Sequence, residues 1–551
     1  MRTPLLMTTL IAGATLTVPS IAAPQDGASP IAGALARAEA EVNAIIEIPD
    51  DQRTFKNTIW AMDDMLARLE FSTSMTQFMP YVSTDADERA IGQAATQELQ
   101  NWLIDLQKDE ALYNAVKSFA DTNPVLSGED KRLLEHTMRD YRRAGMNLTS
   151  EQRDELAAVQ KEIARLSIVF DENIREDDTR VLVSRADLDG CDPAWIETLD
   201  TVGELCIITM DYPTFWPTQK YANNEDTRAR VWYAYKRRAG TKNVKVIEEI
   251  ISLRARAANI LGYAHPADYE NEVRMSKSAD NIQAFYTQLR PLVREKALQD
   301  LIEFEQAKRE HTGDRNATLQ PWDFFYYQDY LMREKYAVDT TKVKEYFPLD
   351  NVIDGLFSIT QSLYGLKYIE VTDRASAMDM PIWHEDVRLF IVSDKASGDE
   401  LGMFYIDLHP RPFKYGHAAQ WGLKQHKMWS DGSIGKPLAA LVCNFPKPIG
   451  DKPALMSHDE VETFFHEFGH CLHTILSEAN SYNFAGTSVE RDFVEAPSQM
   501  FENWVWDRDV LRTFAAHYET GEPFPDDLLN GMLAAKNLGS GMLAERQFFY
   551  G

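Results

Sequence analysis

Cysteine is scarce in this chain. Four residues in 551, Cys191, Cys206, Cys443 and Cys471, are too few for a disulfide scaffold, so the fold must be held by its apolar core. Cys191 and Cys206 bracket a short segment and leave two readings open, a disulfide in an oxidising compartment or two free buried thiols. Basic residues are also in deficit: 57 Lys and Arg stand against 85 Asp and Glu, a formal net charge of -28. Such a field repels phosphate backbones and anionic lipid, which argues against nucleic acid and acidic membrane surfaces as partners. Beyond the N-terminus no apolar run is long enough to span a bilayer, and there is no fixed-period repeat or low-complexity tract. The remainder is an ordinary globular composition, 44% hydrophobic and 26% charged. At this length the chain is expected to form two or more domains or one large two-lobed body.

The first residues have a different character. Met1-Arg2 precedes an uncharged stretch from Thr3 to Gln25 that contains Leu5, Leu6, Leu10 and Ile11 and carries Ser20-Ile21-Ala22 near its end. A basic start, a short apolar centre and small residues at the -3 and -1 positions are the layout of a secretory signal, with cleavage expected after Ala22. Pro4, Gly13 and Pro19 argue against the rival reading, an uncleaved membrane anchor. Residues 1–22 are therefore expected to be a signal peptide, and the mature protein to be exported, periplasmic or secreted, without stable membrane insertion.

Amphipathic helix dominates the rest. Leu156, Val159, Ile163, Leu166 and Phe170 recur at steps of three and four, which puts them on one stripe, and Thr149 with Gln152 makes a capping box at the start. Strand patterning concentrates between residues 385 and 446. Val387 to Ser393 and Met403 to Leu408 flank the turn Asp394 to Asp399 and read as a hairpin. A third candidate strand, Leu438 to Phe445, ends at Pro446. Its apolar character suits either a buried strand or a free edge to which an extended peptide adds.

The chemistry is concentrated just beyond these strands, in His466-Glu467-Phe468-Gly469-His470. Residues four apart on a helix stand one turn above each other, so both imidazoles can converge on one ion. Zinc accepts neutral imidazole nitrogen, and its catalytic sites use three protein ligands and a water. Glu467 lies one residue round the helix, where it reaches the water and not the metal, as a general base does. Ser457 with Glu460 three positions later marks a helix start before the motif. A histidine ligand ten residues after His466 is excluded, because that position is Leu476 and the glycine its pattern requires is His473. Glu490, Glu495 and Glu502 all remain as candidates for the third ligand, and spacing does not choose among them. His473 has two readings, a fourth ligand closing a structural site or a histidine that is structural or substrate-facing. Glu462, one turn before His466, either orients a ligand imidazole or is a helix-start glutamate. Tyr326 and Tyr327 read as helix packing.

The segments His466 to His470 and Glu490 to Gln499, at this separation, closely resemble the thimet oligopeptidase and neurolysin family of metallopeptidases. The resemblance extends over nearly all of the mature chain. It includes Leu253-Arg254-Ala255, Ala267-Asp268-Tyr269, Trp322-Asp323, Trp383 to Leu389, Lys414 to Ala419 and Val442 to Phe445. It implies Zn2+ held by His466, His470 and Glu495, with Glu467 as the catalytic base. It also implies a mainly α, two-lobed helical zinc-peptidase fold, with a small β-sheet beside the HExxH helix and a deep channel between the lobes that admits short peptides. On this reading residues 23–150 and 341–535 form the zinc-bearing catalytic lobe, and 151–340 with 536–551 the second helical lobe of a monomer. The loop Phe484-Ala485-Gly486-Thr487 and Arg491 would line the channel. The expected activity is metalloendopeptidase cleavage of short peptides, the alternative within the family being a dipeptidyl carboxypeptidase. Relatives continue past the point matching Gly551 with a glycine-rich loop bearing histidine and tyrosine residues that contact substrate. The sequence is therefore expected to be C-terminally truncated, which leaves a zinc- and peptide-binding fragment without turnover as a third reading.

Overall fold

The computed structural model describes residues 29–338, 340–448 and 450–550; the expected signal peptide lies outside them. The described chain is mainly α, with small sheets. None of its helices is long and apolar enough to cross a membrane. The helix expected from Thr149 runs Ser150–Arg175, and its capping box forms, the Thr149 N–H donating to Gln152 Oε1 at 3.1 Å and the Gln152 N–H to Thr149 Oγ1 at 3.3 Å. Leu156, Val159, Ile163 and Leu166 are buried against the helix Gly240–Ile260. Tyr326 and Tyr327 are buried in helix Phe324–Glu334, as packing residues should be.

Strands β1 (Val181–Ser184), β2 (Thr201–Val202) and β3 (Leu205–Ile208) form a small antiparallel sheet in the order β1-β3-β2. The larger sheet takes β4 (Leu366–Glu370), β5 (Arg388–Asp394), β6 (Glu400–Asp407), β7 (Ala419–Lys424) and β10 (Leu438–Val442) in the order β4-β5-β6-β10-β7. Between β7 and β10, β8 (Lys427–Met428) pairs with β9 (Ile434–Gly435). The expected hairpin is β5–β6. Asp394 Oδ1 accepts from the Ala396 and Ser397 N–H groups in its turn, and Gly398 supplies the positive φ of 80°.

The free-edge reading of Leu438 to Phe445 is overturned. The strand ends at Val442 and lies inside the sheet, paired parallel to β6 and antiparallel to β7. Both of its faces are covered. Ala439 and Leu441 pack into the core shared with Phe464, Phe465 and Phe468, while Leu438, Ala440 and Val442 face Phe78 and Trp421. Burial on both faces is why this strand reads as one continuous apolar run. Cys191 and Cys206 are free thiols, buried like Cys443 and Cys471, which resolves the disulfide question in favour of the core.

Candidate metal centre

The motif sits on the helix His458–Ile475. Ser457 Oγ accepts from the Glu460 N–H at 3.2 Å and Glu460 Oε2 from the Ser457 N–H at 2.7 Å, the capping box expected from the sequence. Val461, Phe464, Phe465, Phe468, Leu472 and Ile475 bury one side of this helix against β5, β6 and β10. The opposite side is left to His466 and His470, whose rings lie 4.9 Å apart, centroid to centroid.

A second helix, Glu495–Glu502, crosses this side. Its approach depends on Gly469, in the middle of the motif, where a Cβ would lie 2.7 Å from Ser498 Cα. That closeness brings Glu495 Oε2 to 3.0 Å from His470 Nε2 and 3.2 Å from His466 Nε2. Ser498 Oγ donates to the same carboxylate oxygen at 3.1 Å. Glu502 lies seven residues, two turns, after Glu495 and therefore on the same face; its Oε1 accepts from His466 Nδ1–H at 2.7 Å. Glu490 points elsewhere and pairs with Arg132 at 2.8 Å. The three glutamates that spacing left open thus have three separate placements.

The donor set fits zinc. Ligands about 2.0–2.2 Å from a tetrahedral ion are separated from one another by roughly 3.3 Å, close to the observed 3.0 and 3.2 Å. Burial holds the His470 imidazole well below its ordinary pKa, so at neutral pH the ring is uncharged and can offer a lone pair. The carboxylate on His466 Nδ1 fixes the tautomer that leaves Nε2 free for an ion. Glu467 stays out of this set. It is 9% exposed; burial pushes its pKa up, with His466 and the backbone N–H of Gln420 on β7 opposing the effect and the Glu495 charge adding to it. A carboxylate raised towards neutrality is suited to taking up a proton.

The sequence profile of Peptidase family M3 matches residues 218–551. A thimet-like oligopeptidase of Dictyostelium discoideum is 36% identical over 521 residues, covering 91% of this chain and 76% of that protein. Saccharolysin of Saccharomyces cerevisiae is 32% identical over 498 residues, 86% of this chain and 69% of that protein. Oligopeptidase A of Escherichia coli is 31% identical over 512 residues, 89% and 73% respectively. The chain belongs to peptidase family M3.

In this M3 peptidase the remaining sequence candidates fall outside the donor group. His473 contributes no atom to it, and its Nδ1 is buried without a partner. Glu462 does not reach His466; its Oε1 accepts the Trp506 indole N–H at 2.9 Å. With His458 and Asp459 it forms a second cluster of metal-capable groups. That cluster is a poorer cation site. His458 Nε2–H is committed to the Val505 carbonyl at 2.8 Å, Lys536 stacks over Trp506 at 5.0 Å, and the positive end of the helix dipole lies at this terminus.

Two contributors were not read from the sequence. In the sequence Glu502 stands only as a ligand candidate, and its i+7 relation to Glu495 is the signal for its role on the imidazole. Gln420 gave no signal, because what it supplies is a backbone N–H and its strand, Ala-Gln-Trp-Gly-Leu-Lys, has no clean alternation.

The loop after the motif helix is fastened to the N-terminal helices. Glu129 accepts from the Asn480 and Ser481 N–H groups. Asp63, on the helix Ala61–Phe78, accepts from Ser481 Oγ at 2.8 Å, the Tyr482 N–H at 3.1 Å and Asn483 Nδ2 at 2.6 Å. Phe484 is packed by His136 and by the Arg132 guanidinium, and Gly486, at φ 58°, is pressed against Gln425. Since the segment 480–486 lies between the helix that carries His466 and His470 and the helix that carries Glu495, this fastening fixes part of the path between them.

Proposed function

We propose that the chain is a zinc-dependent endopeptidase that cleaves short peptides, with His466, His470 and Glu495 holding the ion and Glu467 acting as general base. The observation that carries this reading is the convergence of Glu495 Oε2 on both imidazole Nε2 atoms, with a second carboxylate, Glu467, contributing no atom to that group. The zinc, when bound, supplies Lewis-acid polarisation of the scissile carbonyl and lowers the pKa of water to about 7. Glu467 takes the proton of the attacking water and delivers it to the leaving amine. Glu502 holds His466 Nδ1–H and so keeps that ring turned towards the ion. The relatives named as oligopeptidases support short peptides as the substrate class.

The expected division of the chain is retained as part of this proposal. The buried clusters support it: three draw on residues between 31 and 146 and between 332 and 533, and three smaller ones on residues 148–336 with Leu538 and Met542. The substrate channel is assigned to the space between these two bodies. Export is proposed on the leader pattern ending at Ala22. An N-terminus at Ala23 in the protein recovered outside the cytoplasm would agree with that, and an intact Met1 would contradict it.

The activity is tested with an internally quenched fluorescent peptide whose C-terminus is blocked. Cleavage should stop on chelation and return with added zinc. Failure to cleave the blocked peptide, with cleavage of its free-acid form, would replace endopeptidase action by dipeptidyl carboxypeptidase action. Zinc binding without cleavage of either would leave a capture protein. Glu502→Ala is expected to weaken zinc binding by about 10- to 100-fold, measured by competition with a colorimetric chelator; unchanged affinity would remove Glu502 from the site.

A further inference from the structure

Asp492 lies three residues before Glu495, in the linker between the two ligand-bearing helices. Its carboxylate accepts two backbone N–H groups from a distant part of the chain, Met275 to Oδ1 at 2.9 Å and Ser276 to Oδ2 at 3.0 Å. The intervening residues form a chain of tight turns. The Phe493 and Val494 N–H groups donate to the Glu490 carbonyl at 2.9 and 3.2 Å, and the Ala496 N–H donates to the Phe493 carbonyl at 2.8 Å. Asp492 and Glu495 are therefore joined through two successive hydrogen-bonded turns, 490–493 and 493–496.

The other end of the contact is equally firm. Ser276 Oγ donates to Asn271 Oδ1 at 2.7 Å, and Asn281 Nδ2 to the Ser276 carbonyl at 2.8 Å. The segment is braced to the helix Gly128–Arg143, where Arg142 donates to the Tyr263 hydroxyl at 2.7 Å and Arg143 to Glu272 at 3.1 Å. It leads directly into the 34-residue helix Ala279–Thr312. The loop's other named anchors, at Asn480 to Phe484 and at Glu490, draw on residues 63–136. Asp492 instead reaches the root of this long helix.

We propose that Asp492 is a positioning residue for Glu495. By gripping the Met275 and Ser276 N–H pair it fixes the start of the helix Glu495–Glu502, and with it the distance of the carboxylate from His466 and His470. The inference rests on the reading of Glu495 as a zinc ligand. It assigns the geometry of that ligand to a contact with residues more than two hundred positions upstream, which do not touch the ion. An aspartate suits the task because each of its two oxygens accepts one N–H, whereas an asparagine offers a single amide oxygen.

The test is a double-mutant cycle on zinc affinity in the full chain, read by competition between zinc and a colorimetric chelator. Asp492→Ala should weaken zinc binding about tenfold, as loss of an outer-shell partner does, and Asp492→Asn by less, since one N–H group can still be bound. Glu495→Ala should weaken it more than either. In the Glu495→Ala background, adding Asp492→Ala should change the affinity little, because the two residues act through one carboxylate. Faster hydrogen exchange at Met275 and Ser276 in Asp492→Ala would show the contact broken. Unchanged zinc affinity in a protein with that contact broken, or effects that simply add, would overturn the proposal. If Asp492→Ala does not fold, Asp492→Asn carries the same comparison. A Glu495→Ala chain with undiminished zinc affinity would instead refute the ligand reading itself, and the two failures are therefore distinguishable.

Discussion

Glu467→Gln is expected to lower kcat by about 10²- to 10⁴-fold, the usual contribution of a positioned acid–base group, while zinc content stays at wild-type level. The separation of these two properties follows from the geometry. Glu467 gives no atom to the converging donors of His466, His470 and Glu495. Its charge is favoured instead by the Gln420 N–H. A glutamine keeps the shape and can still accept that N–H through its amide oxygen, but it cannot take up a proton. KM should change little, since the interaction removed is one made in the transition state. Turnover within a few-fold of wild type would refute the general-base role. Loss of zinc together with activity would mean that Glu467 belongs to the metal set.

The second large effect is on stability, at the fastening between Asp63 and the loop that follows the motif helix. Lys427 is fully buried, its ammonium 2.7 Å from Asp63 and 2.9 Å from Asp64 and 3.9 Å from the Trp60 ring centroid. Replacing it by Met keeps the apolar stem on Trp60, leaves the buried Asp63 carboxylate without a cation, and leaves Asp64 only the Arg68 guanidinium 4.0 Å away. Stranding buried charge in this way costs about 3–5 kcal/mol, and Lys427→Met should show a loss of that size in urea unfolding followed by circular dichroism. A loss below about 1 kcal/mol would mean that water or a rearranged donor replaces the ammonium. Adding both Asp63→Asn and Asp64→Asn to Lys427→Met should recover part of the loss, because no charge is then left unpaired.

Much of the site was legible because its signals are local. The Ser457–Glu460 capping box and the four-residue spacing of His466 and His470 are properties of one helix, and they place the imidazoles without reference to the rest of the chain. The β5–β6 hairpin was legible for the same reason, since its turn chemistry lies between its strands. The third carboxylate was not, because the choice among Glu490, Glu495 and Glu502 depends on where the second helix begins and how closely Gly469 lets it approach. Family resemblance implies Glu495, and the carboxylate of that residue lies 3.0 and 3.2 Å from the two imidazoles. The strand Leu438–Val442 was ambiguous because its meaning depends on neighbours: a run buried on both faces and a run with an open edge look alike until β6 and β7 are in place. Buried ions such as Asp63 and Lys427 were invisible. Nothing in their local sequence announces a partner hundreds of residues away.

That distance has a consequence for how the protein comes into being. Ser481 lies 418 residues downstream of Asp63, so in a chain that emerges N-terminus first, at about 5–20 residues per second, the aspartate waits roughly 20 to 80 s for the loop it will hold. Its lysine comes only slightly sooner. Until then the helix carrying Asp63 and Asp64 cannot sink these carboxylates into a core without great cost. The fastening at Asp63 is therefore a late event, a loop closure that spans most of the chain.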